Sequence, residues 1–199
     1  MARISVAERR ELLFAAAVRV LARDGLAALS TRAIVAEAEM SLASFHYAYE
    51  SREELLADIV ASVVGGEREA GLAGVLGEAS SPEEAVRRAL ATYLDLVRAD
   101  PGREQGMFEL TQHALRTPAL ARLAGQQYQR YHEVATELLD HLAARFERRW
   151  DSPTADLARL VVALTDGLTL AWLADRDDAA AERLAALAAD AVLTHLEDS

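Results

Sequence analysis

The 199-residue chain contains no cysteine and no lysine. Without thiols there is no disulfide, no thiol nucleophile and none of the common structural zinc sites. All 21 basic residues are therefore arginine, and they face 32 acids for a net charge of -11. Such an acid excess argues against a general nucleic-acid coat protein. Long apolar runs are missing as well. The best candidate, Leu157 to Ala174, is broken by Arg159 and Asp166, and the opening MARISVAERR has no apolar signal core, so a cytoplasmic protein with no membrane partner is expected. No G-x-S-x-G, H-E-x-x-H or phosphate-cradling glycine loop occurs, so neither an enzyme nor a cofactor is expected.

What is present is a chain about half apolar, able to bury a substantial core. Its charge is uneven: residues 1 to 56 hold 7 arginines against 8 acids, while residues 57 to 199 hold 14 against 24. The first quarter is near neutral, and the rest carries the acidity.

Alanine, leucine, arginine and glutamate dominate, and apolar residues recur at three and four rather than two. This pattern predicts an all-α protein with no sheet. Ser5-Val6-Ala7-Glu8 is a capping box that opens a first helix, with Leu13, Ala16, Ala17, Val20 and Leu21 inward and Gly25 as its stop. Ser30 and Thr31 start a short second helix, and Ser41 caps a third running to about Ala48. Ser51 caps a fourth, with Glu53 and Glu54 in its first turn, expected to fray or kink at Gly65-Gly66. GLAGVLGEASS, residues 71 to 81, reads as a linker. Further helices are expected from Ser81-Pro82, over about 103 to 115, 118 to 148, 154 to 175 and 178 to 196, with Trp150 to Thr154 a turn. That makes nine helices.

Three short helices with a tight turn between the second and third outline a helix-turn-helix. In such a unit the third helix enters the major groove with its N-terminal residues toward the bases. Leu42, Ala43, Ser44, His46 and Tyr47 are then the candidates for contact, with Phe45 and Tyr49 inward. Ser44, His46 and Tyr47 can donate hydrogen bonds, and Leu42 and Ala43 can meet a thymine methyl. Arg10, Arg32 and Arg52 are candidate phosphate partners, and Thr31 and Ser41 at the helix starts complete the set. The reading helix has no arginine, which removes the commonest guanine contact.

The stretch from Arg10 to Leu56, with Leu13, Ala16-Ala17, Gly25, Ser30-Thr31, Ile34-Val35-Ala36, Met40-Ser41, Ser44-Phe45, Tyr49 and Ser51-Arg52-Glu53-Glu54-Leu55-Leu56, closely resembles the DNA-binding domain of TetR-family repressors. The resemblance implies a helix-turn-helix head over residues 1 to 50 and a six-helix ligand-binding and dimerisation body over 51 to 199. It further implies a homodimeric repressor that binds a palindromic double-stranded DNA operator and is released by a small-molecule effector. Two positions depart from the family: Glu39 stands where glycine is common, which calls for a turn tolerant of a side chain, and His46 where many members carry tyrosine.

Tyr93, Met107, Phe108, Thr111, Gln127, Tyr128, Tyr131 and Trp172 are aromatic or polar on mostly apolar faces and are the candidate ligand-binding residues. Each taken singly reads as ordinary core; the resemblance implies that some line a pocket. Asp166, an acid inside an apolar helix, belongs either to that pocket or to the dimer seam. The seam is expected on the last two helices, through Leu160, Leu164, Gly167, Leu168, Leu184, Leu187 and Val192. Glu133, Glu137 and His141 share a helix face, as do Glu109 and His113, but the Glu-x-x-His pairs of a bundle metal site are missing, so these read as solvated faces and no metal is expected. Two other classes remain open at this stage: an all-helical adaptor without DNA binding, and a four-helix metal or hydrolytic protein.

Overall fold

The computed structural model describes residues 4 to 198. Nine α-helices are present among them: α1 Val6–Asp24, α2 Thr31–Glu37, α3 Leu42–Ala48, α4 Arg52–Leu76, α5 Pro82–Ala99, α6 Pro101–Arg116, α7 Ala121–Arg145, α8 Thr154–Asp175 and α9 Asp178–Leu193. The expected starts hold. Ser5, Ser30 and Ser41 accept from the amides of Glu8, Ala33 and Ser44 and so satisfy open N–H groups at the ends of α1, α2 and α3.

The chain forms two compact units. One holds the chain through Val63 together with Asp100–Gln126, and the other holds Val64–Ala99 and the chain from Gln127 onward. They cut the chain elsewhere than the expected 1 to 50 and 51 to 199. The reason lies in α6, which packs on α1 in the first unit. A Cβ on Gly102 would lie 2.1 Å from the Ala22 carbonyl oxygen, and one on Gly106 would lie 2.6 Å from Leu21. Only glycines four residues apart let these two helices come so close. Glu109 on the same helix accepts from the Leu26 amide at 2.8 Å, holding the turn that follows Gly25.

In the second unit α5 and α8 both pack on α9. Leu94, Val97, Leu168, Trp172, Ala181 and Ala185 form one core cluster, and Ala135, Leu139, Leu157, Ala158, Val162 and Val192 another.

Three expectations need correction. The helix α4 runs unbroken through Gly65-Gly66 to Leu76, so most of the expected linker is helical. Its glycines serve packing: a Cβ on Gly71 would meet Leu138 at 2.6 Å, and one on Gly74 would meet the Ala89 backbone at 2.4 Å. Arg145 then closes the helix end by donating to the carbonyls of Val75, Gly77 and Ala79, where a cation suits the helix dipole. Second, a short sheet exists. Strands β1 Arg148–Trp150 and β2 Leu196–Asp198 pair antiparallel, with Trp150 opposite Leu196. Its alternation is too short to read from the sequence, and its charged pairs, Arg148 with Asp198 and Arg149 with Glu197, look like solvent residues until they are apposed. Third, α8 alone among the described residues is long and apolar enough to cross a membrane by length and hydropathy, despite Arg159 and Asp166.

Candidate nucleic-acid interface and effector site

The third helix has two faces. Phe45 and Tyr49 are each 1% exposed and anchor it inward, while Leu42, Ala43 and His46 are exposed and Tyr47 is 72% exposed. A tyrosine so exposed on a seven-residue helix is carried there by the anchoring of its neighbours. Ser44 is half-buried, and its hydroxyl lies 3.0 Å from that of Ser41, which caps the helix.

The turn before this helix carries Glu39 at φ 53°, the left-handed region that favours glycine. The turn is thus the glycine-type turn with a glutamate in it, rather than a different one built for a side chain. The Met40 amide donates to the Val35 carbonyl at 2.8 Å and closes it.

The arginine candidates separate. Arg32 is exposed, and Thr31 beside it is half-buried. Arg10 is spent inside the head: it donates to Asp58 Oδ2 at 2.7 Å, to Glu54 Oε1 at 2.6 Å and to the Ala48 carbonyl at 3.0 Å, with its guanidinium 4.2 Å from the centre of the Tyr49 ring. Tyr49 in turn donates to Asp58 at 3.2 Å. The Glu50 amide and Arg10 hold the Glu54 carboxyl below its ordinary range, while burial and then Asp58 push the Tyr49 phenol up. A guanidinium with two carboxylates is a clamp between helices. Arg52 also turns inward, with one Nη 3.5 Å from the Leu26 carbonyl and its Nε closed in without a partner. Arg9 had not been singled out, yet it lies 5.7 Å over the ring of Tyr47. Both Arg9 and Arg10 flank the inner face set by Leu13, so sequence spacing cannot choose between them.

In the second unit Asp166 on α8 accepts from the Tyr128 hydroxyl at 2.7 Å. Tyr128 stands edge-on to Tyr131 with ring centres 5.8 Å apart, and His132 lies 6.2 Å from it. Gln127 donates to the Tyr131 hydroxyl at 3.3 Å. Burial raises the Asp166 carboxyl above its ordinary range, against the opposing pull of Tyr128 and His132; it also pushes the Tyr128 phenol up. Burial and then Arg159 lower His132.

The other ligand candidates have contacts of their own. Tyr93 bonds Thr169 at 2.6 Å. Trp172 is 7% exposed, belongs to a core cluster, and its Nε1 donates to Asp178 at 2.8 Å. Met107, Phe108 and Thr111 lie on α6 in the first unit, with Met107 and Thr111 buried and the Thr111 hydroxyl donating to the Met107 carbonyl.

The seam candidates divide too. Leu168 and Val192 are buried within core clusters of their own unit. Leu160 and Leu164 are half-buried, and Gly167 is exposed with open space where a Cβ would stand. Leu184 is exposed, as are Leu187 at 65% and Leu170 at 56%. Leu170 had not been singled out; with Ala163 and Gly167 it continues one exposed stripe along α8.

Two family models match the chain. Residues 13–59 match the family model of bacterial regulatory proteins of the tetR family, and residues 82–197 match that of the C-terminal region of BetI-type transcriptional repressors. The chain belongs to the TetR family. It is a ligand-responsive, DNA-binding transcriptional regulator. Among its TetR-family relatives is the nicotine-responsive repressor HdnoR of Paenarthrobacter nicotinovorans, 29% identical over 88% of this chain and 89% of the relative. A TetR-family regulator from Mesorhizobium loti shares the fold at a TM-score of 0.78 and 17% identity, covering 98% of this chain and all of that one. A regulator from Saccharomonospora viridis, solved in complex with choline, shares it at a TM-score of 0.70 and 19% identity over 97% of this chain and 100% of the other.

Proposed function

We propose that this TetR-family regulator is a cytoplasmic homodimeric repressor that binds a palindromic operator and is released by a small organic effector. The observation that carries this reading is the division of α3 into an anchored face, Phe45, Ala48 and Tyr49, and an open face, Leu42, Ala43, His46 and Tyr47. The open face has the apolar and donor groups for base edges but no arginine, so phosphate contacts and DNA shape carry much of the binding. Arg9 and Arg32 are the phosphate partners in this reading.

Two such helices read DNA together when their spacing matches major-groove faces about 34 Å apart. The exposed stripe of Ala163, Gly167 and Leu170 on α8, with Leu184 and Leu187 on α9, supplies the partner surface, flanked by Leu160 and Leu164. Gly167 permits close approach of a partner helix there. The nicotine-responsive relative and the choline-bound structure support a small-molecule effector, and Tyr128, Tyr131 and Asp166 are its proposed site. Coupling follows the chain: α4 and α7 each continue from one compact unit into the other. An effector that fits one arrangement of the body better than the other shifts the head spacing by that difference in affinity.

The test is selection of duplexes from a random pool with purified full-length protein. Recovery of a two-fold symmetric site is expected; enrichment of no duplex at low salt sinks the reading.

A further inference from the structure

One residue of the head, Leu26, is held from two sides. It opens the short 3-10 turn, Leu26–Ala28, that joins α1 to α2, and its amide donates to Glu109 Oε2 on α6 at 2.8 Å. Its carbonyl accepts from the Leu29 amide at 3.1 Å, and an Arg52 Nη at the start of α4 lies 3.5 Å from it. The arginine is the weaker hold. A contact of 3.5 Å is at the limit of a hydrogen bond, and the Arg52 Nε is closed in without a partner. An amide bonded to a carboxylate is among the strong pairs. Glu109 therefore governs where the turn sits.

The chain around it admits that carboxylate. Gly25 has φ 77°, and a Cβ there would lie 2.8 Å from Glu109 Oε2, so a side chain would both strain the backbone and push the carboxylate away. Gln105, one turn earlier on α6, donates to the other oxygen, Oε1, at 3.3 Å and keeps the group oriented.

What the turn positions is the reading unit. Leu29 is buried at its end, Ser30 follows as the cap of α2, and α2 packs on both α1 and α3. A shift of the turn thus carries α2 with it, and α2 leads through the Glu39 turn into α3. Without its acceptor the Leu26 amide is left unsatisfied, and other arrangements of the turn come within reach. DNA binds the arrangement in which α3 fits the groove, so apparent affinity falls with the fraction of molecules that hold it.

We propose that Glu109 is a positioning residue for DNA binding: it touches no DNA, and through the Leu26 amide it sets the orientation of α2 and α3. It lies outside residues 13–59, the stretch matched to the tetR-family model. The role rests on the reading of α3 as the helix that enters the groove.

The test contrasts two conservative variants. Glu109→Asp keeps the charge but, one methylene shorter, withdraws the oxygens from Leu26, whereas Glu109→Gln gives up the charge and keeps an oxygen within reach. Purified full-length proteins are compared on the duplex recovered from the random pool, well below their melting temperatures. Glu109→Asp should bind it about tenfold more weakly, as the competent arrangement falls to about a tenth, and Glu109→Gln should stay within about threefold of wild type. A loss of stability alone would move the melting temperature and leave the affinity of the folded protein unchanged. The slope of log affinity against log salt should be the same in all three proteins, because no phosphate contact is lost. Hydrogen exchange by mass spectrometry, without DNA, should quicken over residues 25 to 30 in Glu109→Asp and not in Glu109→Gln. Wild-type affinity or wild-type exchange in Glu109→Asp, equal weakness of the two variants, or a slope flattened by about one overturns the proposal. Faster exchange with unchanged affinity fails only this inference, whereas a wild type that recovers no duplex fails the reading of α3.

Discussion

The Arg10 guanidinium meets the Asp58 carboxylate at 2.7 Å, joining α1 to α4 across the head. The same arginine reaches Glu54 and the Ala48 carbonyl and covers the Tyr49 ring, so four interactions converge on one side chain. The helix α3 ends at Ala48 with Tyr49 as its C-cap, and this network holds Tyr49 in place.

Arg10→Ala and Asp58→Ala should each lower stability. The pair is partly open to solvent, so after screening its coupling in a double-mutant cycle should be about 1 kcal/mol. That corresponds to about 2–4 °C in melting temperature for a chain of this size. A cycle showing no coupling removes the clamp.

Tyr47→Ala and Arg32→Ala should weaken operator binding while leaving the melting temperature unchanged, because both side chains are exposed. Arg32→Ala should also flatten the slope of log affinity against log salt by about one. Arg10→Ala, by contrast, should act through stability. Unchanged gel shifts for both surface variants count against the placement of α3 in the groove.

Glu39 holds φ 53°, which costs a non-glycine residue about 1 kcal/mol. Glu39→Gly relieves that strain but loosens the unfolded chain by a similar amount, so stability should change by less than about 1 kcal/mol. Glu39→Val should be clearly less stable, since β-branching is poorly tolerated there. Chemical denaturation of the two variants compares them, and equal midpoints would show that the turn relaxes.

Glu104 is buried on α6, with Arg103 as its partner at 2.7 Å, yet burial outweighs that pairing and raises its carboxyl above the ordinary range. The acid is thus easier to ionise in the unfolded chain. Stability is lost as pH rises from the ordinary glutamate value through the higher folded one, and the loss is complete above it. Glu104→Gln should therefore be more stabilising at pH 7 than at pH 4, as judged by melting temperature. The opposite trend would show that the Arg103 pairing wins.

Leu187→Arg and Leu170→Glu place charges on the exposed faces of α9 and α8. Both should convert a dimer to a monomer by size-exclusion chromatography with light scattering, with helicity kept in circular dichroism. Dimers that persist in both variants put the seam elsewhere.

Much of the fold was legible because helical signals are local. Serine caps, a proline at the first turn of α5 and apolar spacing at three and four place the helix starts, and they place Phe45 and Tyr49 inward. The sequence by itself determined a predominantly helical protein with a helix-turn-helix head and the residues on each face of α3. Tertiary structure alone decided what side chains far apart in sequence do on meeting. It spent Arg10 on Asp58 and Glu54, buried Leu168 and Val192 in their own unit while leaving Leu170 open, and turned the glycines of α4 and α6 into helix contacts. It also set Asp166 against Tyr128 with no arginine. Periodicity gives the direction of a side chain about its own helix, but its partner depends on the packing of another helix, which no local spacing encodes.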